Sequence, residues 1–143
     1  MKNYVLSLDA GTTSSRAILF GQKGNQIAMA QQEFTQIFPK KGWVEHNPNE
    51  IWETQVNAVK KVLSKADISP DQVDSIGITN QRETTIIWDR ATGIPVFNAI
   101  VWQDRRTAKI CEGIVSQGKS NIFTQKTGLV VDAYFSATKI KWI

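Results

Sequence analysis

The sequence predicts an α/β fold in which helices pack on a mixed β-sheet. Three observations lead there. Three β-leaning runs follow one another between Tyr4 and Phe34, as the strands of a meander do. One long helical pattern comes next, and a short β-branched run follows it. The resulting order, β-β-β-α-β and then a pair of strands and helices, fits neither alternating βαβ units nor a pure sandwich.

Each element has its own signals. Tyr4 to Leu8 is an apolar strand that leads into Asp9-Ala10-Gly11. Ser15 to Phe20 is a second strand, and Gly21-Gln22-Lys23-Gly24 supplies the turn after it. Ile27 to Phe34 alternates apolar and polar residues, the pattern of a half-exposed third strand. Gln36 to Asn47 carries Pro39, Lys40, Lys41 and Gly42 and reads as an ordered loop. Asn47 then fits a helix N-cap and Pro48 the first helical position. Glu50 is placed to reach back to the cap and to meet the positive end of the helix. Ile51, Trp52, Val56, Val59, Val62 and Leu63 form the predicted apolar face, and Ser69-Pro70-Asp71 marks the stop.

Val73 to Thr79 is expected to be a buried strand, interrupted by Asn80-Gln81-Arg82-Glu83. Thr84 to Trp88 reads as another strand, closed by a turn at Ala91-Thr92-Gly93. Ala99 to Trp102 is a further short strand, and Arg105 to Val115 a second helix. Gly118 and Gly128 bracket a short helical or loop piece. Ser136 to Ile143 opens a third helix, with no Gly, Pro or cap to end it, so the chain is expected to be a piece of something longer.

Composition narrows the class. With 143 residues, 41% hydrophobic and 21% charged, the chain can build one domain around a core of its own. No apolar run approaches the roughly 18 residues that span a bilayer. The first residues run straight into a strand pattern and lack the long apolar stretch of a signal peptide. The single cysteine, Cys111, excludes an internal disulfide and suits a reducing cytoplasm; its helical context reads as a small core residue. The net charge of +4 comes from scattered cations. Lys139 with Lys141 and Arg105 with Arg106 are the nearest to clusters, and they read as solvated surface, not as a nucleic-acid face. The lone His46 reads as packing or hydrogen bonding beside the helix start, and with no second His or Cys near it a transition-metal site has no support.

Two segments carry the chemistry. Asp9-Ala10-Gly11-Thr12-Thr13-Ser14-Ser15-Arg16 lies between two predicted strands. Phosphate binding needs close backbone approach, exposed N–H groups and hydroxyl donors. Gly11 allows the approach, Thr12, Thr13 and Ser14 bring hydroxyls, and Arg16 offers a planar fork to phosphate oxygens. Asp9 is a carboxylate suited to Mg²⁺, usually through water. The Walker pattern is absent, and by composition alone a polar hairpin without a ligand is an equal reading. The second segment is Arg82-Glu83. A structural ion pair is one reading. The other is a diol site, with donors from Arg82 and acceptors from Glu83. Trp102, by its bulk, reads as core, and Tyr134 as an amphipathic ring that can pack and also hydrogen-bond.

The Asp9–Arg16 segment resembles the phosphate hairpin of glycerol kinases, members of the carbohydrate kinase family with the ribonuclease-H-like fold of actin and hexokinase. Gly42-Trp43-Val44-Glu45-His46, Gly77 to Thr85, Val101 to Thr107 and Asp132-Ala133-Tyr134-Phe135-Ser136 are similar to the same family, in the same order. Ala10 departs from it, since many members carry glutamine there.

The resemblance implies that residues 1–143 are the N-terminal, glycerol-binding part of a two-domain kinase, without its C-terminal domain. It implies ATP-dependent phosphorylation of glycerol to sn-glycerol 3-phosphate by the longer parent, in the cytoplasm, with a homo-oligomer as the assembly. Phosphates would meet Gly11, Thr12, Thr13, Ser14 and Arg16, and Mg²⁺ would meet Asp9. Glycerol would meet Arg82, Glu83, Trp102 and Tyr134. The catalytic base, the aspartate of a Gly-Asp-Gln motif, is expected beyond Ile143, so this chain alone should be inactive. No nucleic acid or membrane partner is expected. A related sugar or polyol kinase, or a non-catalytic nucleotide-binding module on the same fold, are the alternatives.

Overall fold

The computed structural model describes residues 3–143. The chain divides into two compact units, the first made of Met1–Thr35 and Asn47–Gln81, the second of Gln36–His46 and Arg82–Ile143.

The first unit is a sheet with one helix on it. Strands β1 (Tyr4–Ala10), β2 (Ser14–Gly21) and β3 (Gln26–Glu33) form the expected antiparallel meander, and β5 (Val73–Thr79) pairs parallel to β1. The sheet order β3-β2-β1-β5 makes it mixed, as the element order implied. Helix α1 (Pro48–Ala66) crosses between them and packs its Ala58 and Val62 on Leu6, Ala17, Leu19 and Ala30 of the sheet. Fully burying a side chain such as Leu19 is worth about 1.5–3 kcal/mol.

Asn47 caps α1, its side chain accepting from the Asn49 N–H at 3.0 Å, with Pro48 behind it. Glu50 differs from expectation. Its Oε1 accepts from the Thr35 N–H and hydroxyl, both at 2.9 Å, and ties the end of the meander to the helix. The buried stripe of α1 is Thr54, Ala58 and Val62, and Trp52 is 70% exposed. The stripe runs through small residues because the helix lies close on the sheet. Strand β5 is also not the buried strand its composition predicts. It occupies a sheet edge, with Ile76 58% and Ile78 73% exposed.

The second unit is built with little regular structure. Strand β4 (Glu45–His46) lies inside the predicted loop and pairs with β6 (Ala99–Ile100), which is shorter than the expected Ala99–Trp102 strand. Residues 84–88 form no continuous strand, only bridges from Thr85 to Ile100 and from Trp88 to Pro95. Helix α2 (Ala108–Ser116) begins three residues later than predicted, because the Asp104 carboxylate holds the Arg106 N–H in a turn at 2.8 Å. Helix α3 (Ser120–Thr127) fills the bracket between the two glycines, and Gly128 ends it in the left-handed conformation at φ +73°. Helix α4 (Ser136–Trp142) completes the unit.

Two cations read as surface are interior. The Arg106 side chain is fully buried, with Nη2 at 2.7 Å from Glu45 and 2.8 Å from Asp104. Its guanidinium stacks on Trp43 at 3.9 Å and also faces Trp142 and Phe97. Lys139 is fully buried as well. His46 is buried, with Nε2 2.8 Å from Gln36 Oε1, in keeping with a structural part. Cys111 is the buried core thiol that its context predicted, and burial pushes its pKa up.

Candidate functional site

In the first unit the end of β1 and the start of β2 enclose a turn at Gly11–Thr13. The Gly11 N–H donates to the Ser14 carbonyl at 3.0 Å. A Cβ on Gly11 would stand 2.9 Å from that same carbonyl oxygen, so glycine is needed for the tightness of the turn. Thr13 is exposed and Thr12 half-buried, while Ser14 is buried with its hydroxyl accepting from Gln31 Nε2 at 3.0 Å. Gln31 also accepts from Arg16 Nε at 3.1 Å, so one amide of β3 fixes two residues of the hairpin. Asp9 and Arg16 face each other in the ladder, with their charged ends 3.7 Å apart and both side chains over a third exposed. The hairpin therefore presents a carboxylate, a guanidinium and the Thr13 hydroxyl to solvent, around a constricted backbone turn. Gln81, the last residue of this unit, donates to the Gly11 carbonyl at 2.8 Å.

The second unit brings the other four predicted residues into one neighbourhood. Trp102 and Tyr134 meet edge to face at 5.9 Å. The Trp102 N–H donates to the Thr84 hydroxyl at 3.3 Å, placing Trp102 beside the residue that follows Glu83. Lys139 Nζ donates to the Glu83 carbonyl at 2.8 Å and to the Tyr134 carbonyl at 2.6 Å. Arg82 is exposed at the start of this segment and Glu83 half-buried. Glu83 has φ +59°, a left-handed conformation that is costly for a residue with a side chain. Its carboxylate accepts from the Ser136 N–H at 3.1 Å and hydroxyl at 2.9 Å. Among the described residues Arg82 and Glu83 make no ion pair with each other. The structural pairing that sequence alone left open is thus not formed.

Sequence reasoning missed Lys139, Ser136, Gln31 and Gln81. Ser136 and Lys139 stand three apart on α4, a spacing that puts both on one helical face. The signal was hidden because α4 buries Thr138 and Lys139 while Ile140 is 54% exposed, the reverse of an ordinary amphipathic helix. Burial lowers the Lys139 pKa to about 8, with the charges of Glu83, Asp104 and Asp132 opposing the shift. The Arg105 guanidinium, at 2.7 Å, holds the Asp132 carboxyl below its usual range. Asp132 also accepts the Tyr134 N–H at 2.8 Å.

Among the described residues no cluster of three or more His, Cys, Asp or Glu could form a metal centre from protein alone. A lone carboxylate such as Asp9 still fits Mg²⁺, which keeps most of its waters and binds through one or two carboxylates and substrate phosphates.

Residues 4–143 match the N-terminal domain of the FGGY family of carbohydrate kinases. The chain belongs to that family. Curated relatives are similar over nearly the whole chain: a glycerol kinase of Parabacteroides distasonis is 65% identical over 140 residues, 98% of this chain and 28% of its own length. A glycerol kinase of Alkaliphilus oremlandii is 62% identical over 143 residues, covering 100% of this chain and 28% of its own. Among solved structures, a Plasmodium falciparum glycerol kinase with ADP superposes with a TM-score of 0.90 at 37% identity, over 99% of this chain and 28% of that one. A ligand-bound xylulose kinase of Lactobacillus acidophilus reaches 0.89 at 22% identity, over 97% of this chain and 28% of that one, a likeness of fold alone. The expected ribonuclease-H-like α/β class of this FGGY domain is borne out. The chain spans under a third of the length of the curated relatives it matches. Among the described residues no helix is long and apolar enough to cross a membrane.

Proposed function

We propose that the longer protein containing this chain phosphorylates glycerol at the expense of ATP, giving sn-glycerol 3-phosphate for glycerol uptake and catabolism. The observation that carries the reading is the convergence of Glu83, Trp102 and Tyr134 in the second unit, with Arg82 at its edge. The 59–65% identity to glycerol kinases supports it independently.

On this reading the cluster suits a small triol. Arg82 donates and Glu83 accepts, so adjacent hydroxyls find both kinds of partner. The Trp102 ring forms a wall for the carbon chain, and the Tyr134 phenol offers a further hydrogen bond. Because these groups would stay unpaired against a ligand lacking a hydroxyl, the site discriminates strongly. The Gly11–Thr13 turn, with Ser14 and Arg16, engages phosphates of ATP, and Asp9 would hold Mg²⁺ there. Bound there, the ion would neutralise phosphate charge. In the transfer, the terminal hydroxyl oxygen of glycerol bonds to the γ-phosphorus as the bond to the ADP oxygen breaks. The hydroxyl proton passes to an aspartate expected beyond Ile143. Residues 1–143 act as the N-terminal domain of a cytoplasmic, homo-oligomeric, two-domain kinase.

The test is a coupled assay of ADP production by the full-length protein, with glycerol and pentuloses compared as acceptors. Glycerol should be preferred by orders of magnitude in kcat/KM, and residues 1–143 alone should give no turnover. Equal use of a pentulose, no turnover by the full-length protein, or normal turnover by this chain alone would each overturn the reading.

A further inference from the structure

We infer that Lys139 is a positioning residue of the glycerol cluster: its ammonium joins the backbone carbonyls of Glu83 and Tyr134 and so sets the two platforms from which their side chains reach the substrate. The inference rests on the glycerol reading above and adds a residue that touches no substrate.

Lys139 is fully buried, and removing an ammonium from water is expensive unless its donors are used. An aliphatic side chain of similar length would fill the same space without that cost. Two of the three N–H donors are accounted for, by Glu83 O at 2.8 Å and Tyr134 O at 2.6 Å. These carbonyls lie about fifty residues apart in sequence, and each belongs to a residue of the predicted site. The ammonium therefore spends its burial on fixing that pair of residues relative to each other.

Glu83 is where such fixing is needed. Its left-handed backbone, at φ +59°, persists only if its surroundings hold it. They hold it from both ends: Lys139 takes the carbonyl, and Ser136, one helical turn earlier, takes one carboxylate oxygen through its N–H and hydroxyl. On the glycerol reading, the other carboxylate oxygen accepts from the ligand. Tyr134 is held similarly, since its carbonyl meets Lys139, its N–H meets Asp132 and its ring rests on Trp102. At neutral pH the ammonium is still mostly protonated, because its pKa falls only to about 8.

The experiment uses the full-length protein with Lys139→Met, Lys139→Gln and Arg82→Ala, each with glycerol varied at saturating ATP and ATP varied at saturating glycerol. Lys139→Met should raise the glycerol KM by about tenfold or more, equivalent to about 1.4 kcal/mol, while the ATP KM moves by less than about twofold. Lys139→Gln, which returns N–H donors on a shorter stem, should recover part of the loss. A folded Lys139→Met enzyme with an unchanged glycerol KM overturns the inference, as does a parallel rise of both KM values. Should Lys139→Met fail to fold, Lys139→Gln decides by the same split between the two substrates. Arg82→Ala separates the glycerol reading from the role of Lys139. If it leaves the glycerol KM unchanged, the glycerol reading itself falls; if it raises it while the Lys139 variants do not, only the role of Lys139 falls.

Discussion

The two units of the chain are held together by different forces. The first has an ordinary apolar core, with Leu6, Ala17, Leu19, Ala30, Ala58 and Val62 all under 5% exposed. The second buries Ala99, Ile100, Val101, Cys111 and Ala133, but sets Arg106, Lys139, Glu45, Asp104 and His46 in its interior beside them, and its two-residue strands could not hold it by ladder hydrogen bonds alone. In the first unit, position is set by a repeating pattern that many sequences would satisfy. In the second, it is set by particular side chains whose partners must all be present. A site that has to hold Glu83 in an unfavourable backbone conformation is better served by the second kind of interior.

The sharpest way to break this comparison is Arg106→Met in the full-length protein. Arg106 Nη2 meets Glu45 at 2.7 Å, and Nε and Nη2 meet Asp104 at 2.9 and 2.8 Å. Removing the cation leaves two nearly buried carboxylates uncompensated and strips three aromatic rings of their partner. The expected loss is about 3–5 kcal/mol, read from the urea midpoint. A loss of less than about 1 kcal/mol would mean that the second unit is held by its apolar contacts after all. Leu19→Ala is the counterpart in the first unit. Leu19 is completely buried between sheet and helix, and its truncation should cost about 2–5 kcal/mol. The distinction lies in what else changes: Leu19→Ala should leave the glycerol KM unmoved, and Arg106→Met should raise it, because Asp104 also fixes the Val44 N–H and the turn after Trp102.

This difference in forces also explains how legible each region was. The meander, the cap at Asn47 and the helix after it carried periodic or local signals, and they appear with boundaries shifted by a residue or two. Thr84 to Trp88 looked like a strand because Ile86 and Ile87 are β-branched, yet only isolated bridges form there. The Val73–Thr79 run was a strand but not a buried one, since burial depends on what lies beyond the sheet edge and not on composition. Among the candidate site residues, Gly11, Arg82, Glu83, Trp102 and Tyr134 were singled out through motif resemblance. Lys139 and Arg106 escaped because a charged residue reads as surface unless all its partners are known, and one partner of each lies far away in sequence: Glu83 for Lys139, Glu45 for Arg106.

A smaller effect is expected at the Gly11–Thr13 turn, the proposed phosphate contact. Gly11→Ala places a methyl 2.9 Å from a backbone oxygen, and a ladder on both sides limits relaxation. About 1–3 kcal/mol of strain should result. The strain is local to the turn, so kinetics should report it more clearly than unfolding does. The ATP KM should rise several-fold, about 0.5–1.5 kcal/mol, with the glycerol KM within about twofold. Equal changes in both would place Gly11 outside any nucleotide contact.

The smallest effect tests whether every charge in the second unit matters, or only the buried ones. Arg105 and Asp132 form an ion pair at 2.7 Å, as short as that of Arg106 with Glu45, but with half of the Arg105 side chain in solvent. Distance alone predicts equal contributions. Burial predicts that Arg105→Ala costs only about 0.2–1 kcal/mol, because water and salt screen the pair. The pH dependence has a defined sign. The hydrogen bond and charge of Arg105 lower the Asp132 pKa in the folded protein, so the pair's contribution is complete above the ordinary carboxylate range and is lost as pH falls through the folded pKa. The difference in urea midpoint between the parent and Arg105→Ala should therefore be small at pH 7, shrink further on acidification and fall with added salt. A cost approaching that of Arg106→Met would show that geometry outweighs desolvation in this unit, and the contrast between its interior and its surface would have to be abandoned.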